Sequence, residues 1–340
     1  MSRLNGLGLS LGDTDSGPHN AITDVSGVSV GHADLRTVDL CTGVTAVVPY
    51  PKEIAERKLF IGSFAVDGGQ EMSGLQVAED FGTFSSPIVF APAPAVGQIY
   101  EGMIRNGLER DPGLTTVAGW PPVVVGIDDT DWNDAALVHS TMAQTHVAEA
   151  LANARGGMVS TGNAGIGGGL QAFGFKGGIG TASRRAEAYT LGVLAAVNGG
   201  QAGELRLSGY PLPRGSLSNG PQSFAVVVAT DAPLIPLQLE RLAGRAALGL
   251  ARTGLWSPRT RAGLVIAFST TGIVQDEPQG PVVDLHLVGE ESLYALFVSA
   301  AFAAEEAVFD ALLQAEAIEG LDVLPQTGWP EAVRRFWREG

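Results

Sequence analysis

Ser223-Phe224-Ala225-Val226-Val227-Val228-Ala229 is an unbroken apolar run that opens on a serine. A strand with one face in water alternates apolar and polar residues, whereas a short continuous apolar run is the pattern of a strand covered on both faces. Covering both faces requires further layers of structure above and below it. Outward from this run, residues 199–220 are rich in Gly, Pro and Ser and read as an exposed loop, preceded by a strand over Thr190–Val197. Downstream, helices are expected over Leu237–Arg252 and Ser292–Ala317, with a strand at Leu264–Phe268 between them.

The N-terminal half repeats this mixture. Ala21–Val30 and Thr42–Tyr50 read as strands, with turns at Gly27 and Gly31. Val123-Val124-Val125 is a short buried strand ending at Gly126. Asn133 or Asp134 can cap a helix running to the Gly156-Gly157 stop. Strands and helices alternate in blocks, with no repeat of about 20–50 residues. The expected fold is a layered α/β sandwich in one domain, residues 1–340.

Composition narrows the function. The formal charge is 21 − 36 = −15, without a basic stretch, so nucleic acid is not an expected partner. No run of about 18 apolar residues appears, so no membrane span is expected. The first residues lack the apolar core of a signal peptide, and a cytoplasmic protein is the expectation. Cys41 is the single cysteine, which excludes an internal disulfide and a cysteine-based zinc site.

Several motifs invite a function and fail on context. Gly27-Val28-Ser29-Val30-Gly31 matches the nucleophile elbow, but both sides read as strand where the elbow needs a strand-to-helix turn. The tract Gly162–Gly169 does not complete G-x-G-x-x-G, and is read as a turn that lets backbones approach closely. Asp129, Asp131 and Asn133 mimic the start of a calcium loop, yet the sixth position is Asp134 and the twelfth Ser140. His139 and His146 are spaced to share a helix face without an HExxH pattern, and Cys41 sits in an apolar stretch as a core residue. No metal or cofactor is expected.

A serine at the first residue of a buried strand has one unusual use. If the Gln222–Ser223 bond breaks, Ser223 acquires an α-amine whose pKa of about 7.7–8.0 lets it accept the hydroxyl proton near neutral pH. Five segments carry a resemblance that bears on this. They are Asn20–Val25 with Gly27-Val28 and Val30-Gly31-His32; Gly162-Asn163 with Gly165 and Gly167; Phe175–Arg185; Ser223–Leu234 with Arg245–Gly254; and Glu305-Glu306-Ala307. In that order they are similar to the DmpA/BapA-type family of self-processing L-aminopeptidase/D-esterases and β-peptidyl aminopeptidases.

The resemblance implies a four-layer αββα sandwich like that of N-terminal nucleophile hydrolases. It implies self-cleavage between Gln222 and Ser223 into chains 1–222 and 223–340, which stay together and assemble as homo-oligomers of processed pairs. It also implies hydrolysis of amide bonds next to a free amine in short peptides, amino-acid amides or β-peptides. Asn198 aligns with the family asparagine that holds the oxyanion, and its side-chain N–H suits that role.

The sequence departs from the family at several points. Gln222 stands where glycine is usual before the cut. Relatives place a serine, a glycine and an acidic residue where this chain has Arg261, Ala262 and Gly263, so both support residues are missing; Ser257 or Thr260 is a substitute for the hydroxyl only if the loop shifts. A tyrosine common in relatives is absent from Gly126–Asp134, where Trp132 stands instead. These departures motivate the alternative expectation of a non-catalytic family member acting as a binding or assembly protein.

Overall fold

The structure is a computed structural model that describes residues 3–7, 9, 11–50, 57–114, 121–216, 223–256, 262–271, 274–275, 284–327 and 329. A five-stranded sheet has the order β1 (Ser29–Arg36), β2 (Cys41–Val48), β6 (Ile88–Pro92), β7 (Val123–Ile127) and β4 (Met72–Ser73). A seven-stranded sheet has the order β10 (Gly178–Ala186), β11 (Tyr189–Val197), β14 (Ser223–Thr230), β15 (Ala262–Ser269), β3 (Arg57–Gly68) and β16 (Val274–Gln275), with β5 (Thr83–Phe84) paired to β3. Two short ribbons, β8 (Gln171–Ala172) with β9 (Phe175–Lys176) and β12 (Arg206–Leu207) with β13 (Tyr210–Pro211), flank it.

The helices are α1 (Arg3–Gly6), α2 (Leu75–Phe81), α3 (Val96–Arg110), α4 (Ala135–Thr141), α5 (Gln144–Ala152), α6 (Pro236–Thr253) and α7 (Glu290–Gln314). Three cores separate four layers. Ile99, Met103, Val147 and Leu151 of α3 and α5 pack on Val44, Ala46, Val89 and Val124 of the five-stranded sheet. Val47, Phe90, Val125 and Ile127 meet Leu194, Ala225, Val227 and Ile266 between the sheets. Phe224, Val226 and Val228 on the other face of β14 meet Leu242 and Ala246 of α6 and Ala304 of α7. The layers are therefore αββα. All eight residues of β14 are buried, as the apolar run at 223 requires.

The two ends of the chain are joined through charge. Arg184 on β10 pairs with Glu306 on α7, both nearly devoid of solvent. Glu306 Oε1 also accepts a 2.8 Å hydrogen bond from Asn20 Nδ2, and Asn20 Oδ1 accepts from the Ser183 N–H at 2.9 Å. Arg184 further donates to the carbonyls of Leu11 and Ser183. Three segments quoted for the family resemblance thus meet in one buried network. Small residues let α7 lie close: a Cβ on Gly180 would stand 1.9 Å from the Ala307 carbonyl oxygen.

Some local expectations are corrected. The helix expected from residue 133 or 134 to 156 is two helices, broken at Met142-Ala143, where both residues are extended and Met142 is buried. Asp134 caps α4 by accepting from the Leu137 N–H at 2.8 Å, and α5 ends at Ala152. Residues 21–28 are not strand; a short 3-10 turn at Ile22–Asp24 precedes β1, and Gly31 lies inside β1 against the Ala150 carbonyl, not in a turn. Residues 199–216 are not an exposed loop, because Leu205, Leu207 and Leu212 are buried in the helix-side core. Helix α7 ends at Gln314, three residues before the expected Ala317. Among the described residues no helix is long and apolar enough to cross a membrane.

Removing Glu306 leaves the Arg184 guanidinium buried without its counter-charge. Glu306→Ala is therefore expected to lower unfolding free energy by about 3–5 kcal/mol, read by urea titration. A loss below about 1 kcal/mol, as for a surface pair, would show that the network is not what joins β10 to α7.

Candidate active site

The two sheets contribute one strand end each to a small buried site. Ser223 is the first residue of β14 and is only 5% exposed. Its Oγ accepts a 2.7 Å hydrogen bond from the backbone N–H of Asp128, the residue that follows β7 on the facing sheet. Asn198 follows β11, and continuing the antiparallel register Ala196↔Ala225 by two residues sets it opposite Ser223. The Asn198 Nδ2 donates to the Asp128 carbonyl at 2.8 Å, and its Oδ1 accepts from the Gln171 N–H at 3.1 Å. Nδ2 carries a second hydrogen for another acceptor. Ser223 and Asn198, singled out from the sequence, are thus brought together on one backbone segment.

The Asp128 carboxylate is half-buried, and its Oδ1 is held by the N–H (3.1 Å) and the hydroxyl (2.6 Å) of Thr130. Beneath it, Asp129 is buried. Its Oδ2 accepts from Thr42 Oγ1 at 2.5 Å and Asn133 Nδ2 at 3.1 Å. Burial pushes the Asp129 carboxyl up to about 7, a shift opposed by the Thr42 hydrogen bond. Asn133 also exchanges hydrogen bonds with the backbone of Cys41, at 2.9 and 3.2 Å. The 129–133 segment that mimics a calcium loop is therefore a side-chain clasp onto β2, and among the described residues no group of three or more His, Cys, Asp or Glu is placed to hold a metal ion.

The glycine tract closes the floor. Gly165–Gly169 form a 3-10 turn, and a Cβ on Gly169 would meet Asn133 Nδ2 at 2.5 Å and Asp129 Oδ2 at 2.8 Å. Lys176, fully buried, donates to the carbonyls of Gly167, Gly177 and Leu170 at 2.6, 2.9 and 3.1 Å. Trp132 lines the same region and donates through Nε1 to Gln171 Oε1 at 3.2 Å.

The other candidate residues lie elsewhere. Ser29 begins β1, as the missing elbow context implies. His139 and His146 are on different helices; Gln98 lies against His139, and His146 Nδ1 accepts from the Ala143 N–H at the start of α5. Cys41 is a free, partly exposed residue at the start of β2. Gln222, Ser257, Thr260 and Arg261 lie outside the described residues.

Position 263 is informative. Gly263 pairs with Phe224, and a Cβ there would stand 2.6 Å from the Phe224 ring. The volume that a side chain at 263 would need is filled by the Phe224 ring. Ala262 is the residue paired with Ser223. Reading the sequence missed Asp128, Gln171 and Lys176 as site residues. The available signal for Asp128 was its place at the carboxyl end of a buried strand, where α/β folds gather their ligand groups.

Comparison with known proteins gives the family. The model of peptidase family S58 matches residues 20–324. The β-peptidyl aminopeptidase BapA of Sphingosinicella xenopeptidilytica is 33% identical over 361 aligned residues, covering 96% of this chain and 89% of that protein. A solved β-aminopeptidase from a Burkholderia species superposes with a TM-score of 0.87 at 33% identity, covering 100% of this chain and 99% of that one. The L-aminopeptidase D-Ala-esterase/amidase of Ochrobactrum anthropi, described as a prototype serine aminopeptidase and a new variant of the Ntn hydrolase fold, superposes at 0.84 with 32% identity, covering 100% and 98%. The chain belongs to peptidase family S58 and is a serine-type aminopeptidase on this variant of the N-terminal nucleophile fold.

Proposed function

We propose that this aminopeptidase cleaves its own chain between Gln222 and Ser223 and then uses Ser223 as its N-terminal nucleophile. The observation that carries the reading is the buried Ser223 hydroxyl at the start of β14, held by the Asp128 N–H at 2.7 Å with the Asn198 amide beside it. In self-cleavage, Ser223 Oγ attacks the Gln222 carbonyl carbon, the acyl group moves from nitrogen to oxygen, and water hydrolyses the ester. The products are a Gln222 carboxylate and a free Ser223 α-amine. Chains 1–222 and 223–340 remain one folded unit, because β14 lies between β11 and β15 in an intact sheet.

In peptide hydrolysis the α-amine takes the Oγ proton as Oγ attacks the substrate carbonyl. The second hydrogen of Asn198 Nδ2 faces the developing oxyanion, and the proton passes to the departing amine. Water then releases the acyl group from Ser223. The Asp128 N–H, already on Ser223 Oγ at 2.7 Å, is the group that supports the nucleophile. The half-buried carboxylate of Asp128, the residue whose N–H contacts Ser223 Oγ, is the anchor for the free ammonium of a short peptide, amino-acid amide or β-peptide. On the same reading the protein works in the cytoplasm, where its lone Cys41 stays reduced, as a homo-oligomer of processed pairs. Exposed Phe81 and Leu237 offer apolar surface for such assembly.

Ser223→Ala is expected to leave one uncut chain without hydrolysis of amino-acid p-nitroanilides; full activity in this variant would refute the assignment. Asn198→Ala is expected to lower kcat about 10²–10³-fold, and an unchanged kcat would remove Asn198 from the oxyanion site. In the processed enzyme, kcat/KM should fall below an inflection at about pH 7–8 as the α-amine is protonated. Asp128→Asn is expected to raise KM about 10–100-fold with a smaller change in kcat, by losing a charge-assisted hydrogen bond to the ammonium. Unchanged KM would place the ammonium elsewhere.

A further inference from the structure

Lys176 is a buried lysine to which the reaction above assigns no role. Its ammonium is surrounded by the carbonyls of Gly167, Gly177 and Leu170, at 2.6, 2.9 and 3.1 Å. Three donors on three acceptors match an ammonium, whereas a neutral amine has two hydrogens and a lone pair that would face a carbonyl. Burial pulls the lysine down to about 7; Cys41 opposes this and Arg36 adds to it, while the three carbonyls favour the charged form. A neutral side chain of similar length would fill this space without burying a charge.

The acceptor at 3.1 Å leads to the site. The Leu170 carbonyl belongs to the same peptide group as the Gln171 N–H, which donates to Asn198 Oδ1 at 3.1 Å. Asn198 Nδ2 in turn donates to the Asp128 carbonyl at 2.8 Å, and the Asp128 N–H is on Ser223 Oγ at 2.7 Å. Lysine, the 170–171 peptide and the Asn198 amide form one chain with every donor pointing the same way. In such a chain each bond strengthens the next, so a cation at its head makes the Asn198 side-chain N–H, where the chain ends, a better donor. The strand pairing holds the geometry, since Gln171 is the register partner of Lys176 and its carbonyl accepts from the Gly199 N–H at 2.8 Å.

We propose that Lys176 is a positioning residue for the nucleophile, orienting and polarising the Asn198 amide through the Leu170–Gln171 peptide. The proposal rests on the roles assigned above to Ser223 and Asn198. It distinguishes Lys176 from a lysine that merely braces the glycine tract, because its effect passes through one other side chain.

A double-mutant cycle tests it, using the full chain carrying Lys176→Met, Asn198→Ala or both. The readouts are kcat and KM on an amino-acid p-nitroanilide and, for any uncut chain, the rate of self-cleavage by intact mass. Lys176→Met is expected to lower kcat about 10–100-fold with KM within about threefold, and the double variant should fall no further than Asn198→Ala alone within about threefold. Effects that multiply would overturn the proposal while leaving the role of Asn198 standing. An Asn198→Ala enzyme of full activity would instead overturn the reading on which the proposal rests. Should Lys176→Met not fold, lysine-selective NMR of the Ser223→Ala chain decides: a Lys176 ammonium coupled to its three carbonyls at working pH is expected, and a neutral amine contradicts the proposal.

Discussion

The hydrogen bond from the Asp128 N–H to Ser223 Oγ crosses from one sheet to the other, and the site exists only where that crossing is possible. Packed sheets stand about 10 Å apart, so a hydroxyl on one reaches a backbone N–H on the other only where the chain leaving a strand turns inward. Here β7 ends at Ile127 and β14 begins at Ser223, and the core between the sheets brings the two ends together. Close backbone approach allows this turn. A Cβ on Gly126 would stand 2.8 Å from Val96 and 3.1 Å from Ala93, and one on Gly169 would collide with the Asn133–Asp129 clasp.

Buried charge is used in two ways around that crossing. Arg184 and Glu306 compensate one another and join β10 to α7. Lys176 and Asp129 are set among dipoles, with carbonyls gathered on the ammonium and hydroxyl and amide donors on the carboxyl. The glycine tract runs between the latter two, and at Gly169 a side chain would collide with the Asn133–Asp129 pair. Phe224 against Gly263 shows the same close packing: the aromatic ring takes the volume that a side chain at 263 would need.

The apolar runs that became β14 and β15 were legible in the sequence because burial on both faces leaves a compositional trace. The break between α4 and α5 was not, since Met142-Ala143 contains neither glycine nor proline and is fixed by tertiary burial of Met142. Residues 199–216 misled for the opposite reason: glycine and proline signal turns, but Leu205, Leu207 and Leu212 anchor those turns in the core. At the site, Ser223 and Asn198 were readable because they stand in recognisable segments of the sequence. The Asp128 N–H and the Leu170–Gln171 peptide were hidden, since they reach the site through backbone atoms that every residue shares. Lys176 was visible as part of a motif, yet only its three carbonyl partners reveal its charge to be internal.

Membership of the S58 family and the position of the serine leave one event on which the whole account turns. Freshly purified protein should give two masses corresponding to residues 1–222 and 223–340, and N-terminal sequencing of the smaller should begin Ser-Phe-Ala-Val. A single uncut chain, stable for days at neutral pH, would contradict the account and turn attention to a binding or assembly role for the same fold.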